Sequence, residues 1–165
     1  MDTQVEMEHP RSAAVGMPRW LIAGLRAMAV VAALAVLAAF SYVAYKITLT
    51  PVHDHGQAGG NTDPGRSLRF YLDRPTKETI VQVGGNLMLL APLGILLPVV
   101  STRLRGPLRL ALVSALISLT IETAQGLSVD GRAFDIDDVI LNTAGVVIAY
   151  LFVGRKVSRL VRGRD

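Results

Sequence analysis

Residues 27–44 read AMAVVAALAVLAAFSYVA, a block in which Ser41 is the only polar residue. A surface helix of a soluble domain carries one apolar stripe and a polar face. Here apolar side chains fill the whole circumference. With its flanks the run covers roughly 20–45, longer than the about 20 residues that cross a bilayer. Arg19 and Arg26 flank its start, Trp20 suits one membrane interface, and Tyr42 and Tyr45 suit the other. A secretory signal has an apolar core of about 7–15 residues and a small-residue cleavage site. This run is longer and ends in Ser41-Tyr42-Val43-Ala44-Tyr45-Lys46, so a retained anchor is expected.

Three further runs of the same kind occupy about 80–100, 108–127 and 134–153. Four spans take up roughly half of the chain and leave no room for a separate soluble domain. Composition agrees: of 165 residues 51% are hydrophobic and 18% charged. The predicted fold is all-α, an integral membrane four-helix bundle with a long outer loop (46–79) between helices 1 and 2. The membrane domain covers 20–154. A polar tail (1–19), with Pro10, Gly16 and Pro18, precedes it, and a basic tail (155–165) follows. Within the long loop, 51–65 reads as irregular and 66–72 as a short amphipathic helix on the membrane surface.

The absence of cysteine excludes disulfides, a thiolate nucleophile and cysteine metal sites. The basic residues sit beside the spans, where Lys and Arg meet lipid headgroups and set topology, so no nucleic-acid partner is expected. Their distribution orients the bundle. Arg11, Arg19, Arg26, Arg103, Arg105, Arg109, Arg155, Lys156, Arg159, Arg162 and Arg164 share one side, eleven against six on the other. Both termini are therefore expected in the cytoplasm.

That orientation gathers the polar residues that interrupt the spans. Asn86 lies near the outer end of the second, Glu122 and Gln125 in the last turns of the third, and Asp135 to Asn142 in the first turns of the fourth. At 1.5 Å rise per residue all fall within about 10 Å of the outer boundary. Ser118, Glu122 and Gln125 form one helical stripe (i, i+4, i+7); Asp135, Asp138 and Asn142 form another (i, i+3, i+7). Asp137 points away from Asn142 and is the least expected member. Arg132, in the short loop above, is placed to bridge Asp135 and Glu122. An ionisable group at membrane depth costs about 2.5–3.5 kcal/mol on insertion scales and commonly marks a site. The candidate pocket, open toward the outer leaflet, is Asn86, Glu122, Gln125, Arg132, Asp135, Asp138 and Asn142. Structural roles stand beside this reading: Gln125 and Asn142 as interhelical hydrogen bonds, and Asp135 as a helix cap. Pro92 and Gly94 read as a kink and a close helix contact. His53 and His55 flank Asp54 in the loop, too few convergent ligands to assign a metal site.

The order Asn86…Pro92-Leu93-Gly94…Pro98, then Ser118-x-x-x-Glu122-x-x-Gln125, then Arg132-x-x-Asp135-x-Asp137-Asp138-Val139-Ile140-x-Asn142-Thr143-x-Gly145 resembles the VanZ family, over about residues 80–152. These are small bacterial membrane proteins named for a member associated with teicoplanin resistance. Leu90 stands where the family usually has an aromatic residue. The resemblance implies the fold, the site and a place in the bacterial cell envelope, but no particular reaction. The expected function is binding or remodelling of a lipid-linked envelope component, or of an envelope-targeting glycopeptide. The alternative is a membrane enzyme acting on a lipid with Glu/Asp acid–base or metal chemistry. No cofactor is required by the first reading; a divalent cation would suit the carboxylates of the second. Membrane lipids are the expected partners, and oligomerisation is left open.

Overall fold

A computed structural model describes residues 17–49, 60–129 and 132–163. The loop residues His53, Asp54 and His55 and the tail up to Gly16 lie outside the described residues. Among the described residues seven α-helices follow in order: α1 (Arg19–Thr48), α2 (Arg66–Asp73), α3 (Lys77–Leu89), α4 (Ala91–Val100), α5 (Pro107–Ser128), α6 (Ile136–Ala149) and α7 (Arg155–Arg162). A 3-10 turn (Thr102–Leu104) precedes α5, and a π turn (Tyr150–Gly154) joins α6 to α7. Among the described residues there is no strand, only one isolated parallel bridge between Asn61 and Asp135.

Four helical spans are long and apolar enough to cross a membrane: Arg19–Thr48, Lys77–Val100, Pro107–Ser128 and Ile136–Arg162. The all-helical, four-span expectation therefore holds. In the most apolar window of α1 only 6% of residues are buried by the rest of the molecule. The other three spans also turn large apolar side chains outward, among them Met88, Leu112, Leu116 and Phe152. Such surface is stable only against hydrocarbon, which makes this a multi-pass membrane protein.

The second span is not one continuous helix. Pro92 has no N–H to return to Met88, and the chain breaks at Leu90, between α3 and α4. Pro92 then occupies the first turn of α4, where a missing N–H costs nothing. Around this break sits the buried core of Leu90, Leu93, Leu110, Val146 and Tyr150.

Glycine decides how closely the second and fourth spans approach. A Cβ on Gly145 would lie 1.9 Å from the Leu87 carbonyl oxygen, and one on Gly94 would lie 2.2 Å from that of Val146. Both are backbone contacts that cannot move aside. The close contact expected at Gly94 is thus present, with Gly145 as a second one.

The fourth span runs beyond the expected end at Val153, through the π turn into α7. Two arginines hold this end. Arg162 donates to the carbonyls of Val99 (2.6 Å) and Val100 (2.5 Å), and Arg105 donates to that of Ser158 (2.7 Å). The last carbonyls of a helix have no partner inside it, and guanidinium groups both bond them and oppose the negative end of the helix dipole.

Candidate functional site

The polar residues lie at the other end of the bundle, where α5 ends and α6 begins. The reason α6 starts at this point is local. Asp135 has extended backbone angles, and its carboxylate accepts from the Asp137 N–H at 2.8 Å, a side-chain cap on the first turn. The capping role weighed for Asp135 is therefore real, and it does not exhaust that carboxylate. Its Oδ1 also accepts from Asn61 Nδ2 (2.9 Å) and its Oδ2 from the Ser67 hydroxyl (2.5 Å).

Asn61 and Ser67 belong to the stretch between the first two spans. There α2 matches the short helix expected over 66–72. Its docking is a tertiary feature. Asn61 N–H donates to the Phe134 carbonyl (2.7 Å), and the Asn61 carbonyl accepts from Ile136 N–H (2.9 Å). The Asp137 carboxylate then accepts from the N–H groups of Gly65 (2.5 Å), Ser67 (2.8 Å) and Leu68 (3.1 Å). These are the otherwise unpartnered donors at the start of α2. An aspartate of α6 thus serves as the N-terminal cap of α2, with the negative charge at the positive end of that helix. Asp137 is 1% exposed. It is the main anchor of the segment 60–68, which sequence spacing did not indicate.

This end of the bundle is consequently covered by residues 60–68, where an open pocket was expected. Residues 60–68 lie across Asp135 and Asp137 because these carboxylates need donors: the Asn61 and Ser67 side chains supply them to Asp135, and backbone N–H groups supply them to Asp137. Asp138, half-buried, turns instead to the second span. It accepts from Asn86 Nδ2 in a short contact and from Gln82 Nε2 at 3.3 Å. Gln82 and Asn86 are one helical turn apart on α3, so Gln82 could have been read from the i, i+4 spacing. The structure therefore does join Asn86 to Asp138 as one cluster.

Glu122 is buried on α5 and accepts weakly from Asp135 N–H, at 3.4 Å. Asn142, fully buried, donates to the Ser118 hydroxyl at 3.1 Å, joining the two predicted stripes. Its carbonyl oxygen and the Thr143 hydroxyl are buried without a hydrogen-bond partner among the described residues.

Gln125 and Arg132 turn elsewhere. Gln125 donates to the Thr48 carbonyl (2.8 Å) and Arg132 to the Ile47 carbonyl (3.4 Å), so both hold the C-terminal end of α1. The anticipated Arg132 bridge to Asp135 and Glu122 is not formed. Arg132 opposes the negative end of a helix dipole instead, while neutral donors satisfy Asp135.

Tyr71 of α2 stands over the cluster. Burial pushes its phenol above the ordinary 10.0, and the negative charges of Asp138, Asp135 and Asp137 push in the same direction. The arrangement is an acidic, hydrogen-bonded cluster: Asp138 with Asn86 and Gln82, Glu122 beside Asp135, and Asn142 with Ser118, bordered by the segment that Asp135 and Asp137 hold.

The sequence model of the family described as VanZ/LLP1 matches residues 27–157. No curated protein and no solved structure matches the chain.

Proposed function

The chain belongs to the VanZ/LLP1 family, and from that membership we propose that it acts in the bacterial cell envelope, binding or remodelling a lipid-linked envelope component, or a glycopeptide that targets one, through the Glu122–Asp138 cluster. Both termini face the cytoplasm in this reading, and the cluster faces the outer leaflet. The observation that carries it is the convergence of polar side chains from three separate spans on one layer, with the Asn142 carbonyl and Thr143 hydroxyl left unpaired there. Unpaired buried polar atoms are costly, and in a native site they commonly await a partner.

The expected ligand offers hydrogen-bond donors, such as the hydroxyl, amide or ammonium groups of a sugar or peptide headgroup. Asp138, Glu122 and the Asn142 carbonyl are acceptors, so they suit such groups and repel bare phosphate. Asp135 and Asp137 are already engaged by residues 61–68, so ligand contact falls to Asp138, Glu122 and the Asn142 carbonyl.

The test is complementation of an envelope-drug susceptibility phenotype with Glu122→Gln, Asp138→Asn and the double variant, protein abundance being measured in parallel. The amides keep shape and remove charge. Loss of the phenotype at normal abundance is expected; full activity in the double variant would reduce the cluster to interhelical hydrogen bonding.

A further inference from the structure

The two ends of the bundle differ in charge. Every described acidic residue belongs to the outer segment or its surroundings: Asp63, Asp73, Glu78, Glu122, Asp135, Asp137 and Asp138. No acid occurs between Glu78 and Glu122, or from Val139 to Gly163. At the opposite end a cavity of about 650 Å³ opens between α7, the π turn and the start of α5. Arg105, Arg155 and Arg159 line it, beside an apolar wall of Pro107 and Leu151. Its volume lies within the roughly 300–1,000 Å³ of ordinary ligand sites.

The arginines differ in how they are held. Arg105 is fixed by its bonds to the Ser158 and Gly163 carbonyls, at 2.7 and 3.2 Å. The Tyr150 hydroxyl donates to the Arg105 carbonyl and holds the same corner. Arg155 and Arg159 are exposed, one helical turn apart on α7. Like charges at that spacing repel each other, and no carboxylate lines the cavity to offset them. The π turn adds a residue to the helix and so turns α7 by about 100° from a regular continuation.

We propose that this cleft is a binding site for a phosphate-bearing anion, separate from the outer cluster. Guanidinium forks match phosphate oxygens in geometry and charge. A lipid headgroup would place its phosphodiester among the three arginines and its acyl chains along Leu151 and the outward apolar face of the fourth span. Free phosphate offers the same chemistry without the chains. The site does not depend on what the outer cluster binds.

The full-length protein in a zwitterionic detergent would be titrated with dioleoyl phosphatidylglycerol and followed by native mass spectrometry. Dioleoyl phosphatidylcholine serves as the comparator and inorganic phosphate as the competitor. Phosphatidylglycerol should be retained in preference to phosphatidylcholine. Arg155→Gln/Arg159→Gln should weaken that retention by on the order of 30-fold, whereas Arg66→Gln/Arg69→Gln on α2 should leave it unchanged. Arg155→Lys/Arg159→Lys, which keeps the charges, should retain most of the preference and guards against a folding defect in the glutamine pair. Displacement by inorganic phosphate would support the site as one for the free anion; resistance to displacement would support the lipid. Equal retention of the two lipids, or glutamine variants that bind like the unaltered chain, would overturn the proposal.

Discussion

Replacing Asp137 with Ala should release the outer segment without unfolding the bundle. The carboxylate accepts three backbone N–H groups, at 2.5, 2.8 and 3.1 Å. Hydrogen bonds to a charged group contribute about 1.5–3 kcal/mol each. Their sum overstates the loss, because an undocked α2 can hydrate its own N–H groups. No residue of α2 is fully buried, so little apolar contact adds to the docking. What remains are the bonds of Asn61 and Ser67 to Asp135 and the backbone bonds of Asn61 with Phe134 and Ile136. A local cost of about 2–4 kcal/mol follows, in line with strong helix caps and charge-assisted bonds. Hydrogen exchange read at Gly65, Ser67 and Leu68 is the direct assay, because the described bonds of these amides all end on Asp137. Their protection should fall by roughly 30- to 1,000-fold, while the amides of α5 and α6 stay protected. Asp137→Asn keeps one acceptor oxygen and should lie between. Unchanged protection in Asp137→Ala would refute the capping argument; loss of protection throughout α6 would show that Asp137 supports the bundle and not only its cover.

The same cover should respond to alkaline pH. Because the folded pKa of Tyr71 lies above 10.0, its contribution to docking is complete below pH 10 and is lost as pH rises through the folded value. Asp138→Asn should move the Tyr71 titration back toward 10.0, seen as phenolate absorbance that Tyr71→Phe removes. Gly145→Ala should be severely destabilising in a detergent melt, because its Cβ meets the Leu87 backbone, while Gly84→Ala meets nothing within 4 Å and should be tolerated. Topology is testable with cysteines at Leu72 and Lys156, both exposed. An impermeant thiol reagent should label Leu72→Cys and spare Lys156→Cys in intact cells, and the reverse pattern would invert the orientation.

How much of this was legible in the sequence divides along physical lines. Membrane spans are local: length and all-round apolar character suffice, because a bilayer leaves backbone groups no partner outside the segment. The runs at about 20–45, 80–100, 108–127 and 134–153 therefore correspond to real helices, and the Pro92 break follows from one missing N–H. Helical periodicity likewise put Ser118 and Asn142 on two stripes that the fold brings together, and Asn86, expected in the same layer, meets Asp138. Periodicity says which face a residue occupies, not which donor will reach it. Asp137 was the least expected member of the cluster because its partners are backbone N–H groups about 70 residues away in sequence. Arg132 was assigned to carboxylates by proximity in sequence, and only packing of α1 brought the Ile47 carbonyl to it. The four spans were readable from local spacing and composition alone. That Asp135 and Asp137 hold residues 61–68 while Asp138 meets Gln82 and Asn86 came from packing, since hydrogen-bond partners depend on which distant segments come together.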